Sequence, residues 1–238
     1  MTRRRWIADE VKNDRAALVG AHAAHLSRTL RAQVGQEFEV ACGDRVRRAI
    51  IASLDDERVE FELGEEITVS APLPITLLLA VFKFDRMEWA MEKCTELNVT
   101  SILPVIARRT EKHLAQAAQK RVERWRRIGR EASEQARRVA PPEIGDPIKL
   151  VDAALEAPAE LCIVLAETER EAHLLDVLGA RHDIRSLTLA IGPEGGWTSD
   201  EFELFEQARW TSASLGTTIL RAETAAIAAL VLARSIIH

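Results

Sequence analysis

The sequence predicts an α/β protein in two parts, an antiparallel β-domain followed by a domain built on a parallel sheet. Apolar and charged residues alternate near the start, as in Arg58-Val-Glu-Phe-Glu-Leu63. After the stiff connector Ala71-Pro-Leu-Pro74 the pattern changes to continuous apolar runs separated by helical stretches, which is typical of buried parallel strands. We therefore predict domains at 1–71 and 72–238.

The N-terminal domain is predicted to be an antiparallel sheet or small barrel with one helix near Ala21–Arg31. The same alternation occurs in Glu37–Val40 and Ile67–Val69, and turns are predicted at Gly43-Asp44, Asp55-Asp56 and Gly64. Two interpretations remain open at this point, an RNA-binding domain and a structural β-domain without RNA contacts.

Three apolar runs of the second domain are predicted to be buried parallel strands: Ile75–Val81, Leu161–Ala166 and Leu187–Ile191. Between the first two, residues 83–98 have the apolar spacing of a helix that packs on the core. Asn98 is expected to end this helix, because asparagine enters the left-handed conformation with tolerable strain.

A second helix is predicted from a basic stretch, in which eight basic residues between Lys120 and Arg138 face only three glutamates. Its packing stripe is Trp125, Ile128, Ala132, Ala136 and Val139. Pairs such as Arg127–Glu131 would neutralise part of the charge, and the remaining excess suggests a surface for phosphate groups. Pro141-Pro142 is expected to end the helix.

A glycine-rich turn, Gly192-Pro-Glu-Gly-Gly196, follows the third apolar strand, where ligands bind in open α/β sheets. Thr198-Ser-Asp-Glu201 after it predicts a helix that begins with a capping box. The turn lacks the spacing of dinucleotide and P-loop sites. Because Glu194, Asp200 and Glu201 crowd the helix N-terminus, a neutral or cationic ligand is favoured over a pyrophosphate.

A second turn, Ser214-Leu-Gly216, leads into a predicted helix at 219–233 whose residues are mostly Ala, Leu and Val. Arg221, Glu223 and Thr224 are the polar residues of its first part. Two interpretations stay open for them: a buried Arg221–Glu223 or inter-subunit ion pair, or a substrate site.

Composition sets limits on the class of protein. A chain of 238 residues with 47% hydrophobic residues and a net charge of −5 is typical of a soluble globular protein. Because no run resembles a membrane span or a secretory signal, we expect it in the cytoplasm. Its three cysteines are expected to be free thiols, and no metal site is predicted.

The paired motif Ile191-Gly-Pro-Glu-Gly-Gly196 and Leu215-Gly-Thr-Thr-Ile-Leu-Arg-Ala-Glu-Thr-Ala225 resembles the signature of the RsmE family, bacterial methyltransferases of the knotted SPOUT superfamily. The resemblance implies an N-terminal PUA-like RNA-binding barrel, a C-terminal trefoil knot and a homodimer. It also implies methylation of uridine N3 in 16S ribosomal RNA with S-adenosylmethionine, on the small ribosomal subunit or on free RNA.

The same resemblance implies roles for individual residues. Arg221, Glu223 and Glu194 are the expected catalytic residues. The cofactor is expected at Leu165, Glu167, Gly192, Pro193, Gly195, Gly196, Leu215, Gly216, Leu220 and Thr224. RNA contacts are expected from Arg3, Arg4, Arg5, Lys83, Lys93, Arg109, Arg126 and Arg137, with solvated surface charge as the alternative for the lysines. Trp6, Trp197 and the phenylalanines are the aromatic candidates for stacking on the target base.

Thr218 and Ala136 stand where the family usually has other residues, an arginine in the case of Thr218. The competing hypotheses are a non-catalytic assembly factor that binds RNA and a SPOUT methyltransferase with another RNA target. An enzyme acting on nucleotide phosphates is the least favoured, because of the acidic turn.

Overall fold

The computed structural model describes residues 5–157, 159–181 and 183–236, which form two compact units. The chain passes from the first unit to the second between Ala71 and Pro72, and it returns to the first unit for the segment Arg130–Pro141. Among the described residues, no helix has both the length and the apolar character needed to cross a membrane.

The first unit is a six-stranded sheet with the strand order β1-β4-β5-β6-β3-β2. All neighbouring strands are antiparallel except β1 and β4. A short helix α1 (Ala21–Ala24) continues into a π-helical turn (His25–Thr29), which matches the predicted helix. The strands are β1 (Trp6–Ile7), β2 (Glu10–Lys12), β3 (Arg15–Val19), β4 (Glu37–Cys42), β5 (Arg45–Leu54) and β6 (Arg58–Ile67).

Gly64 lies inside β6 and not in a turn, so that prediction was wrong. The pairing of β5 with β6 shifts register between Arg47 and Ala49, opposite the stretch of β6 that contains Gly64. This irregularity bends the strand, and a glycine is a common signal for it. The predicted strand at Ile67–Val69 was also wrong, because β6 ends at Ile67. The curled sheet is consistent with the predicted barrel.

The second unit has a sheet in which every paired strand is parallel, in the order β10-β8-β7-β12-β11-β13 with β9 beside β8. The prediction of a parallel α/β sheet is therefore confirmed. All five residues of β12 are buried, as its continuous apolar sequence indicated. The strands are β7 (Ile75–Ala80), β8 (Ser101–Ile106), β9 (Glu143–Ile144), β10 (Ile148–Lys149), β11 (Leu161–Leu165), β12 (Leu187–Ile191) and β13 (Thr211–Ala213).

Seven helices accompany these strands in the part of the chain that the structure describes. They are α2 (Phe84–Glu96), α3 (Lys112–Ala117), α4 (Val122–Gln135), α5 (Leu150–Leu155), α6 (Leu174–Gly179), α7 (Ser199–Gln207) and α8 (Ala222–Ile236). A 3-10 turn (Ala118–Arg121) joins α3 to α4, and the last residues of α4 belong to the first unit.

Local signals placed the helix ends well in two cases. Asn98 follows α2 with φ 66°, and the Val99 N–H donates to Cys94 O at 3.1 Å, which closes the left-handed cap. Thr198 and Glu201 form the predicted capping box of α7. The predicted start of the last helix at residue 219 was wrong, because α8 begins at Ala222. Residues 219–221 remain in the preceding turn.

Candidate active site

A cavity of about 590 Å³ lies at the carboxyl edge of the parallel sheet. Its walls come from the turns that follow β8, β11, β12 and β13, so residues distant in sequence meet at one place. The lining residues are Arg109, Leu165, Ala166, Glu167, Thr168, Arg170, Ile191, Gly192, Pro193, Glu194, Gly196, Trp197, Ser199, Phe202, Ser214, Leu215, Gly216, Thr217, Thr218, Ile219, Leu220, Arg221, Ala222 and Ala225.

The turn after β12, residues 192–197, is called here the glycine turn. A Cβ atom on Gly192 would lie 3.2 Å from the indole ring of Trp197. Gly196 has φ +69°, and a Cβ there would lie 3.0 Å from Glu167 Oε1. A side chain at position 192 would crowd Trp197, and one at position 196 would be strained by the positive φ.

Trp197, the last residue of the glycine turn, anchors this turn to the end of β11. Its side chain is buried, its ring packs edge-on against Phe205 at 5.1 Å, and its Nε1–H donates to Leu165 O at 3.1 Å. This hydrogen bond ties the end of β11 to the turn after β12. Trp197 thus fixes two adjacent parts of the cavity wall. Trp6 is completely buried and is not placed as a platform for a stacked base, whereas Trp197 is 6% exposed and lines the cavity.

The turn after β8 is bound to the glycine turn by two side chains. Arg109 Nη1 donates to Gly195 O at 2.6 Å and to Trp197 O at 3.2 Å. The buried Glu201 carboxylate accepts the Arg108 N–H at 2.7 Å through one oxygen and the Thr198 N–H at 2.8 Å through the other. These contacts connect the turn after β8 to the glycine turn and to the start of α7.

The turn after β11 is stabilised by its own carboxylate. Glu169 accepts hydrogen bonds from three successive backbone N–H groups, those of residues 170–172. The N–H groups of Glu171 and Ala172 hold the pKa of Glu169 below its ordinary value. Glu167 and Arg170 from the same turn line the cavity.

The turn after β13, residues 214–221, closes the remaining side. Ser214 is buried at its base, with Oγ 3.1 Å from His173 Nδ1. Gly216 has φ +124°, a conformation that side chains disfavour. Arg221 is exposed at the end of this turn, where it lines the cavity.

The three expected catalytic residues have different surroundings. Arg221 and Glu194 line the cavity, whereas Glu223 is buried and does not. Glu223 Oε1 accepts from Arg86 Nη1 at 3.3 Å, and Glu194 Oε1 is 4.0 Å from the same nitrogen. Of the interpretations left open, the buried Arg221–Glu223 ion pair was wrong, because Glu223 pairs with Arg86 and Arg221 is exposed.

Most of the expected cofactor residues come together at the cavity. Gly195 and Thr224 are the exceptions: Gly195 lies against Arg109, and Thr224 is exposed on α8 outside the lining. The cavity-lining members are Leu165, Glu167, Gly192, Pro193, Gly196, Leu215, Gly216 and Leu220.

The expected RNA contacts are dispersed, and most of their charge is already paired. Arg5 is buried and bonds Glu39, which also binds Arg137. In the second unit, Lys93 lies between two glutamates and Arg126 bonds Glu123 and Asp146. Arg109 donates a hydrogen bond to Gly195 O of the glycine turn, and Lys83 is exposed. Arg3 and Arg4 lie outside the described residues.

The sequence did not predict three contacts around the site. They are the ion pair of Arg86 with Glu223, the hydrogen bond from Trp197 to Leu165 O, and the hydrogen bond from the Arg108 N–H to Glu201. The capping-box motif predicted the contacts of Glu201 with Thr198 but not its hydrogen bond with the Arg108 N–H. Within the described residues no group of three or more potential metal-ligating side chains is found.

Comparison with known proteins gives the family. Residues 69–234 match the model of the RNA methyltransferase domain. The chain is 33% identical over 216 residues to ribosomal RNA small subunit methyltransferase E of Synechocystis sp., covering 90% of this chain and 70% of that protein. It is 32% identical to the Rickettsia conorii protein of the same name over 223 residues, covering 92% of this chain and 89% of that protein.

Solved structures agree. The fold matches ribosomal RNA small subunit methyltransferase E from Neisseria gonorrhoeae bound to S-adenosyl methionine, with TM-score 0.87, 29% identity and 98% of each chain covered. It also matches a Legionella pneumophila structure in complex with the bound cofactor SAM, with TM-score 0.85, 28% identity, and 97% of this chain and 96% of that one covered. This chain therefore belongs to the RNA methyltransferase family, in the group of ribosomal RNA small subunit methyltransferase E.

Proposed function

We propose that this protein transfers the methyl group of S-adenosylmethionine to N3 of a uridine in 16S ribosomal RNA, within the small ribosomal subunit. The observation that carries the proposal is the cavity bounded by the glycine turn and the 214–221 turn, in a chain of this family. Since small subunits are cytoplasmic, the proposal places the protein there.

The cavity suits a cofactor of this kind. Its volume, about 590 Å³, lies within the range of roughly 300–1,000 Å³ that is usual for small-molecule sites. The nearby N-terminus of α7 is capped by Thr198 and Glu201, and its first turn carries the acidic residues Asp200 and Glu201, which disfavour a phosphate there. The cofactor carries no phosphate, and when bound it supplies an electrophilic methyl group on a sulfonium cation.

The residues of this chain have separate roles in the proposed reaction. Arg221 reaches the cavity from the end of its turn and orients the uracil, stabilising the anion that develops when N3 loses its proton. Glu194, also in the lining, accepts that proton. Glu223 is buried outside the lining, so we assign proton acceptance to Glu194.

The target base must be unpaired or extruded, because N3 lies on its Watson–Crick edge. In the proposal, residues 1–71 are the PUA-like barrel that binds RNA, and residues 72–238 are the SPOUT domain with a C-terminal trefoil knot. Lys83 is exposed and forms no ion pair within the described residues, so it serves as a phosphate contact in this proposal.

A homodimer completes the proposal. Large apolar side chains are exposed on the second unit, including Trp89 at 47% on α2 and Val231 at 43% on α8. In this proposal these side chains contribute to the interface between the two copies. Sedimentation velocity is expected to give twice the chain mass, and a monomer at micromolar concentration would remove this part of the proposal.

The proposal is tested by transfer of labelled methyl groups from S-adenosylmethionine to small subunits that lack the modification, followed by digestion to nucleosides. Free 16S RNA is tested alongside. We expect label in 3-methyluridine, with the subunit preferred over free RNA. Arg221→Ala is expected to lose at least about tenfold in kcat, equivalent to about 1.4 kcal/mol of transition-state stabilisation.

The matched control is Arg185→Ala, which removes an exposed arginine of the same unit that does not line the cavity. It is expected to keep wild-type turnover. Label in another nucleoside would refute the uridine target. Cofactor binding without any transfer would support a non-catalytic assembly factor instead.

A further inference from the structure

A cluster of three charged residues lies beside the cavity, joining segments that are far apart in the sequence. Arg86 comes from the first turn of α2, Glu223 from the first turn of α8, and Glu194 from the glycine turn. Arg86 Nη1 is 3.3 Å from Glu223 Oε1 and 4.0 Å from Glu194 Oε1. One guanidinium therefore faces two carboxylates.

The two carboxylates differ in access to solvent. The Glu223 side chain is 8% exposed, and the Glu194 side chain is 33% exposed. Glu223 Oε2 is fully enclosed and has no hydrogen-bond partner among the described residues. A buried carboxylate needs a cation close by. The buried Glu223 therefore depends on Arg86 more strongly than the partly exposed Glu194 depends on it.

The helix dipoles point to the same division of roles. A carboxylate in the first turn of α8 is favoured by the positive end of that helix, whereas a guanidinium in the first turn of α2 is disfavoured there. Arg86 therefore owes its position to the carboxylates around it. Held by the buried Glu223, its positive charge faces Glu194 at the cavity wall.

We propose that Arg86 is a positioning residue: anchored by Glu223, it holds the Glu194 carboxylate at the cavity wall, where Glu194 accepts the proton. This inference rests on the proposed function and assigns Glu223 a supporting role in place of a catalytic one. It also predicts that Arg86 and Glu223 act as one unit, so that their substitutions are not additive.

The test compares Arg86→Gln, Arg86→Lys, Glu223→Gln and the Arg86→Gln/Glu223→Gln double variant in the full-length protein. Arg86→Gln is expected to lower kcat on small subunits by at least about tenfold, with KM for RNA and Kd for S-adenosylmethionine within about twofold of wild type. Arg86→Lys, which keeps the charge, is expected to recover most of kcat. The double variant is expected to be no slower than Arg86→Gln alone.

The matched control is Arg124→Gln. This variant removes a different ion pair of α2, in which Arg124 Nε of α4 lies 2.7 Å from Glu88 Oε1 of α2. Arg124 does not line the cavity. Wild-type kcat is expected. Should Arg86→Gln not fold, Arg86→Lys and Glu223→Gln decide: wild-type kcat with Glu223→Gln would overturn the anchoring role.

A second readout does not depend on turnover. Hydrogen exchange measured by mass spectrometry is expected to speed up at residues 192–197 in Arg86→Gln and not in Arg124→Gln. Unchanged exchange there would overturn the inference, even if the wild type shows no methylation and the proposed function itself fails. An equal loss in kcat and in cofactor affinity would also overturn it, as would full activity of Glu194→Gln.

Discussion

Two buried tryptophans make a matched pair that tests how the cavity wall is held. Trp197 and Trp210 are 6% and 7% exposed, and their rings lie 5.1 and 5.0 Å from the same Phe205 ring. Trp197 Nε1 donates to Leu165 O at 3.1 Å, and Trp210 Nε1 donates to Ala154 O at 3.0 Å. Of these two carbonyl-bearing residues, only Leu165 lines the cavity.

Replacing either tryptophan with phenylalanine removes the indole N–H and leaves a buried carbonyl without that donor. The loss is expected to lower the free energy of unfolding by about 1–3 kcal/mol in each variant. Trp197→Phe also removes the ring against which Gly192 packs, since a Cβ at Gly192 would lie 3.2 Å from it. The glycine turn then loosens, and we expect Kd for S-adenosylmethionine to rise at least about fivefold, or about 1 kcal/mol.

Urea unfolding followed by circular dichroism measures the two stabilities, and isothermal titration calorimetry measures the two affinities. The expected result is similar destabilisation with a loss of cofactor affinity in Trp197→Phe alone. Equal affinities in the two variants would refute the anchoring role of Trp197, whatever their stabilities.

Three further predictions concern other parts of the molecule. Arg109→Ala removes hydrogen bonds to Gly195 O and Trp197 O, so it is expected to weaken cofactor binding by about 1–3 kcal/mol while leaving KM for small subunits near wild type; the opposite pattern would make Arg109 an RNA contact. Burial raises the pKa of Cys94 to about 12, so this thiol is expected to resist iodoacetamide at pH 8 until urea unfolds the protein, and labelling in the native state would contradict its burial. Burial would raise the pKa of Glu39, but hydrogen bonds from its two arginine partners outweigh this and hold it below the ordinary value. A carboxylate with a lowered folded-state pKa stabilises the fold above its unfolded pKa and loses that effect as pH falls through the folded value. The difference in unfolding free energy between wild type and Glu39→Gln is therefore expected to be constant near neutral pH and to shrink below about pH 4, and a difference independent of pH would refute it.

Features set by neighbouring residues could be predicted from the sequence. The capping box at Thr198, the left-handed Asn98 and the fully buried β12 each depend on a short stretch of chain. The two glycine motifs also followed strands as expected, and parallel strands place such turns at one edge of the sheet. The backbone segments that line the cavity could therefore be predicted from the sequence.

Features set by long-range packing could not be predicted in this way. Arg86 and Glu223 are 137 residues apart, and Arg137 meets Glu39 across 98 residues. The count of charged residues predicted a basic surface from Lys120 to Arg138. A local count does not include the acidic partners that the fold brings close to these residues. The same limit explains Gly64, whose turn signal marks an irregularity inside a strand.

The central claim is that the cavity between the glycine turn and the 214–221 turn holds the methyl donor. A crystal structure of the full chain with S-adenosylmethionine tests it most directly. We predict that the cofactor contacts the backbone of both turns and the end of β11 at Leu165, with its methyl group open toward Arg221 and Glu194. A cofactor bound elsewhere on the chain, with this cavity filled by solvent, would contradict the account.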